Sequence, residues 1–277
     1  MKAPAFDYVR PQSLSEAVGL LAAGGREAQV IAGGQSLVAM MNLRIASPRL
    51  LIDIARLAEL AALTEAEDSV SLGAGVTHAM IEDGQTPDPS RGLMPRAAAA
   101  LAYRAIRNRG TLGGSLALSD PAAEWPAVLV ALDAEAVLYG PGGHRSLKCR
   151  EFINGIYETK LADCEIIESV RIPKLSASAR CGYLKLCRKS GEFANALAVA
   201  VADHARGYCR VVSGAANGAP LVLTQTSQAL ADNRREPEAL RGAIAADLDH
   251  AADRHFDDFQ HNLLMVAAMR AVREVTA

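Results

Sequence analysis

Aromatic residues are scarce in this sequence: one Trp, six Tyr and five Phe make up 4% of 277 residues. Base-stacking platforms for nucleic acid need more than that. No charge of one sign dominates, with 29 Lys+Arg against 31 Asp+Glu and a formal net charge of -2. A basic nucleic-acid footprint and an acidic solvating tail are both excluded. Cysteine is limited to Cys149, Cys164, Cys181, Cys187 and Cys209, an odd number without a CxxC pair. This argues against a disulfide framework, and against a zinc or iron–sulfur site held by this chain alone. No uninterrupted apolar run approaches the ~18–20 residues of a membrane span. The opening MKAPAFDYVRPQ lacks the apolar segment of a signal peptide, so a cytoplasmic protein is expected.

What is present is an ordinary globular composition, 50% hydrophobic and 22% charged, long enough for one large domain or two to three small ones. Ser13 and Glu16 form a capping box, Leu14, Ala17, Val18 and Leu21 share a helical face, and Gly24-Gly25 end that helix. Strands are expected at 29–32, 50–54, 69–76, 135–139 and 165–172, with a short helix opening near Thr77. Residues 95–106 and 121–132 read as helices. After Pro173 a small-residue connector, Leu175 to Ala179, marks a boundary near residue 175, and a weaker one falls near 55. Strands follow near 183–187 and 209–213. A final helix over about 257–275 carries Phe259, Leu263, Val266, Met269 and Val272 at helical spacing.

Two glycine turns, about eighty residues apart, hold the chemistry. The first is Ala32-Gly33-Gly34-Gln35-Ser36-Leu37 and the second Thr111-Leu112-Gly113-Gly114-Ser115. Consecutive amides with little side-chain bulk hold phosphate oxygens without a basic residue, and Ser36, Thr111 and Ser115 add hydroxyl donors. Together the two could clamp a pyrophosphate. Neither matches GxGxxG or GxxxxGK[ST], which disfavours Rossmann and P-loop readings. The six histidines fall in no metal-binding pattern, and no Ser/His/Asp set has motif spacing.

The strings Val30 to Leu37 with Met41-Asn42-Leu43-Arg44, then Asn108 to Ala117, then Asp120 to Pro126, resemble the FAD motifs of a known family. It is the FAD-binding medium subunit family of carbon monoxide dehydrogenase, xanthine dehydrogenase and related molybdenum hydroxylases. The resemblance continues through Leu161 to Ile167, Arg171-Ile172-Pro173, Lys185 and Arg188 to Ala194, and so covers nearly the whole chain. It implies an α+β protein. A vanillyl-alcohol-oxidase-type FAD-binding fold would occupy residues 1–175, with α/β subdomains at about 1–55 and 56–175. A smaller α+β domain would occupy 176–277. It also implies FAD as cofactor, and as partners a large molybdopterin subunit and a small [2Fe-2S] subunit, as a dimer of heterotrimers serving an external electron acceptor.

On that resemblance Ala32, Gly33, Gly34, Gln35, Ser36 and Leu37, with Thr111, Gly114 and Ser115, would lie on the pyrophosphate. The family often has His at the position of Gln35 and usually Asn at that of Ser115. Glu124 would accept from a cofactor hydroxyl, with Asp120 as the competing acid. Leu101, Leu161 and Ile167 would line the flavin or adenine. Lys185 and Phe193 would stand near the isoalloxazine, where a cation favours the anionic reduced ring. No residue here is expected to be catalytic toward substrate or to bind metal. The rival expectations are a free-standing FAD oxidoreductase with its own substrate site and a flavin-less interaction subunit.

Overall fold

A computed structural model describes residues 2–277. Its first layer is a parallel sheet in the order β1-β3-β2, formed by β1 (Asp7–Val9), β2 (Ala28–Ile31) and β3 (Leu50–Asp53). Helix α1 (Leu14–Gly24) crosses over between the first two strands, and the short α2 (Leu37–Asn42) follows the first glycine turn. The α1 cap forms as expected: Ser13 accepts from the Glu16 amide, and Gly25 ends the helix at φ 51°. Glu16 reaches one residue further back than a standard capping box, accepting from the Gln12 amide at 2.7 Å.

The second layer is an antiparallel sheet in the order β4-β5-β10-β6-β7. Its strands are β4 (Leu63–Glu65), β5 (Ser69–Gly73), β6 (Glu135–Gly140), β7 (Gly143–Lys148) and β10 (Ile166–Pro173), with the small hairpin β8 (Ile153–Gly155) and β9 (Glu158–Thr159) beside it. Between β5 and β6 run α3 (His78–Glu82), α4 (Leu93–Ala100), α5 (Arg104–Arg107), α6 (Leu112–Leu118) and α7 (Glu124–Ala131), and α8 (Cys149–Phe152) follows β7. Two helical expectations are corrected. Residues 95–106 are not one helix, because Ala102 adopts φ 41° and breaks the run into α4 and α5. The guanidinium of Arg107 donates to the carbonyls of Leu101 and Ala102 and so holds the break. The 121–132 helix starts only at Glu124, because the Asp120 carboxylate turns the preceding residues by accepting from the Ala122 amide.

The third layer is a sheet in the order β11-β12-β13-β14, from β11 (Arg180–Leu186), β12 (Ala196–Asp203), β13 (Tyr208–Gly214) and β14 (Leu221–Val222). It is backed by α9 (Thr224–Ala231), α10 (Pro237–His250) and α11 (Asp258–Thr276). Every residue of β12 is buried. Its alternation sends Leu197, Val199 and Val201 into the core shared with the N-terminal layers, and Ala196, Ala198, Ala200 and Ala202 into the core beneath the C-terminal helices. Alanine on that side lets α11 approach closely: a Cβ on Gly182 would lie 1.9 Å from the Ala271 carbonyl. The buried stripe of α11 runs through Leu264, Ala268, Ala271, Val272 and Val275. Phe259 and Val266, expected on that face, are exposed, while Met269 and Val272 are buried as expected.

Helix α7 is buried all round, from Glu124 to Ala131. It packs against α4 and α6 on the N-terminal side and against β12 and β13 on the other. This places its first two residues, Glu124 and Trp125, between the halves of the molecule. Among the described residues no helix is long and apolar enough to cross a membrane.

Candidate functional site

The first turn leaves β2 and enters α2. Gly34 sits at φ 72°, a conformation side chains resist. Gly33 is required for space: a Cβ there would lie 2.1 Å from the Arg109 carbonyl oxygen and 2.9 Å from the Gly110 Cα. The first turn therefore rests on Arg109 and Gly110, the residues that lead into the second. Among the described residues the amides of Gly33, Gly34, Gln35, Ser36 and Leu37 donate to no protein acceptor. Five successive free N–H groups are the donor set that an anion nest requires. The Gln35 side chain folds back onto the turn, donating to the Gly33 carbonyl at 3.1 Å. Ala32 and Leu37 are half-buried at its ends, and Gln35 and Ser36 are exposed.

The second turn differs from the expected loop. Residues 111–115 are the N-cap and first turn of α6, and Thr111 accepts from the Gly114 amide at 3.0 Å. The Leu112 and Gly113 amides donate to the carbonyls of Val76 and Ala74, each at 2.9 Å. These bonds follow from the antiparallel bridge between Thr77 and Thr111. Gly113 serves packing, since its Cβ would collide with Ala74 at 2.4 Å. Gly114 is exposed, and Ser115 is half-buried beside it. The second turn thus offers a glycine surface and hydroxyl groups, while the first offers amides.

Of the remaining residues, Lys185 and Glu124 meet at the head of α7. Lys185 on β11 donates to Glu124 at 2.6 Å and to the Ala100 carbonyl at 3.1 Å, with both charged side chains almost fully buried. Burial pushes the Glu124 carboxyl up, against the opposing pull of the Lys185 cation. Leu101, buried, follows Ala100 directly. Phe193 lies on the loop between β11 and β12, its ring 67% exposed. That loop is tethered to the α4–α5 break, because Gly191 at φ 87° packs against the Tyr103 ring. Asp120 accepts from the Tyr157 hydroxyl at 3.1 Å, near the β8–β9 hairpin that leads to half-buried Leu161. Ile167 is buried on β10, just before a bulge.

Three further residues belong to this region and stood out in no motif. Arg107 pairs with Glu82 at 2.7 Å while holding the Leu101–Ala102 break. Tyr183, buried with its hydroxyl unpartnered among the described residues, lies two residues from Lys185 on β11. His78 is 4% exposed and accepts through Nδ1 from the Trp125 indole at 3.0 Å. The cue for His78 was present in Thr77-His78: Thr77 caps α3, and the next residue is the first of that helix.

Comparison with known proteins places this geometry. The model of the FAD binding domain in molybdopterin dehydrogenase matches residues 4–175. The nicotine 6-hydroxylase medium subunit of Paenarthrobacter nicotinovorans is 35% identical over 100% of this chain and 99% of its own length. The 6-hydroxypseudooxynicotine dehydrogenase complex subunit alpha of the same organism is 39% identical over 70% of this chain and 66% of its own length. A solved carbon monoxide dehydrogenase from Hydrogenophaga pseudoflava, in a form lacking the Mo-pyranopterin moiety of its molybdenum cofactor, superposes with a TM-score of 0.91 at 32% identity, covering 99% of this chain and 98% of that one. A full-length relative, a family model over the first three-fifths and a matching fold agree: this chain belongs to the FAD-binding subunits of the molybdopterin-dependent dehydrogenases.

Proposed function

We propose that this chain carries FAD between a [2Fe-2S] partner subunit and an external electron acceptor, in a complex whose large subunit holds molybdopterin. A dimer of such heterotrimers is the assembly we infer. The observation that carries the reading is the run of five free amides at 33–37, set against Arg109 and Gly110 at the entry to the second turn. A pyrophosphate needs many donors and little bulk, and this arrangement offers both. Bound FAD supplies a carrier that exchanges electrons with clusters and acceptors.

The chain's own residues bind and tune. The amides of Gly33 to Leu37 hold phosphate oxygens. Gly114 lets the backbone approach closely, and Thr111 and Ser115 each bring a hydroxyl. Ala32 and Gln35 set the shape of the first turn. Leu101, Leu161 and Ile167 supply apolar walls. Lys185 uses two of its three N–H groups on Glu124 and Ala100, leaving one for the ring system. Glu124 keeps an acceptor oxygen for a hydroxyl, and Asp120 is a second acid nearby. Phe193 covers the ring on the acceptor side. Substrate chemistry belongs to the large subunit, so no side chain here acts as its acid or base.

Purification of the chain with excess FAD tests this. About one FAD per chain is expected, with a flavin spectrum lost in the Gly33→Asp, Gly114→Asp double variant. Absence of flavin from a folded chain, even after co-expression with molybdopterin and [2Fe-2S] subunits, would refute the reading.

A further inference from the structure

The contact between the two turns does not end at Gly110. A Cβ on Gly110 would lie 2.7 Å from Nε2 and 2.8 Å from Cδ2 of His78. The edge of the His78 imidazole therefore occupies the space a side chain at 110 would need. Gly33 rests on Arg109 and Gly110, and Gly110 rests on His78. The ring itself is fixed. The His78 amide donates to the Gly110 carbonyl at 3.0 Å, and its Nδ1 accepts from the Trp125 indole at 3.0 Å. An indole N–H can only donate, so Nδ1 must be the acceptor and the neutral ring carries its proton on Nε2, facing Gly110. Trp125 is fully buried in α7, the helix that also carries Glu124.

We propose that His78 is a positioning residue for the cofactor site: its imidazole, locked by Trp125, is the wedge that sets Gly110, and through Gly110 the spacing of the two turns. The proposal rests on the reading that these turns hold the FAD pyrophosphate. It explains why an imidazole stands here. A smaller side chain would let Gly110 sink away from Gly33. An apolar ring of equal size would leave the indole N–H of a fully buried Trp without an acceptor. A larger one would collide with the Gly110 Cα.

The test compares His78→Ala, His78→Phe and Trp125→Phe with His204→Ala, an exposed control far along the chain. The first readout is amide hydrogen exchange without FAD at the hydrogen-bonded amides of the two turns, Val38 in the first and Arg109, Gly110 and Leu112 to Ser115 in the second. The second is the FAD dissociation constant of the apo-chain. His78→Ala should speed exchange in both turns and weaken FAD at least tenfold. His78→Phe and Trp125→Phe should do so to a smaller extent, and His204→Ala should match the wild type. Should His78→Ala fail to fold, Trp125→Phe, which removes the indole donor while keeping an aromatic ring in the core, decides the matter by the same two readouts. Wild-type exchange in both turns of the folded variants would overturn the wedge. Faster exchange with unchanged FAD affinity would overturn its role toward the cofactor. A wild-type chain that takes no FAD would refute the functional reading instead, and the exchange readout would still decide whether His78 sets the turns.

Discussion

Lys185 and Glu124 form an ion pair of 2.6 Å across the junction between the N-terminal layers and the C-terminal sheet, with side chains only 6% and 5% exposed. Both residues are expected from the family resemblance to face FAD, and the fold gives them each other. A buried charge is costly without its partner and tolerable with it. The pair therefore locks β11 onto the head of α7.

Removing one partner should cost more than removing both. Lys185→Met leaves a buried carboxylate uncompensated and should destabilise the chain by about 3–5 kcal/mol. The double variant Lys185→Met, Glu124→Leu should recover most of that loss. Urea denaturation followed by circular dichroism reads both, and equal losses in the two variants would show that the pair contributes nothing as a pair.

His78 should make stability fall on acidification. Burial, aided by the Arg107 cation, holds its pKa at about 4, against 6.5 for an unperturbed ring. The unfolded chain thus takes up the proton before the folded one does. Stability is undiminished above about pH 6.5 and is lost progressively toward pH 4, by about 3 kcal/mol in all. His78→Phe should lack this component. Denaturation curves between pH 4 and 7.5 for the two chains should converge as the pH falls, and parallel curves would contradict the assignment.

Gly182→Ala should disrupt the C-terminal layer. A Cβ there would lie 1.9 Å from the Ala271 carbonyl, backbone against backbone, so no side chain can yield. Separation of α11 from β11 should cost about 3 kcal/mol, at the upper end of overpacking effects. Thermal unfolding monitored by circular dichroism measures it, and Gly242→Ala, whose added Cβ would meet nothing within 4 Å, is the control.

Phe193 should matter to electron delivery and not to folding. Its ring is 67% exposed, so Phe193→Ala should change stability by no more than about 0.5 kcal/mol. FAD content should stay at the wild-type level, while the rate of reoxidation by a dye acceptor changes. Rapid mixing of the reduced protein with the dye provides the rate. A rate matching the wild type would remove Phe193 from the acceptor side.

Much of this protein was legible in local sequence. The cap and stop of α1, the strand that leads into the first glycine turn, and Gly34 with its positive φ all follow from residues within a few positions of one another. The motif strings 30–37 and 108–117 were enough to suggest FAD. Less visible was that the second turn would give its amides to Val76, Ala74 and Thr111, because an antiparallel bridge to Thr77 is a pairing between segments. The break at Ala102 was hidden for a similar reason: a helix-forming run is overruled by Arg107 binding the freed carbonyls.

The sequence by itself thus determined most of the elements, the cofactor class and the bend of the first glycine turn, since propensity, capping and backbone freedom act over a single turn of chain. Tertiary structure alone decided which groups share a site. Gly33 on Arg109, His78 with Trp125, and Lys185 with Glu124 are partners far apart along the chain. Each is forced by packing: a carbonyl that leaves no room for a side chain, a buried indole that needs an acceptor, and a buried cation that needs a counter-charge. Those demands arise only once the layers close around α7.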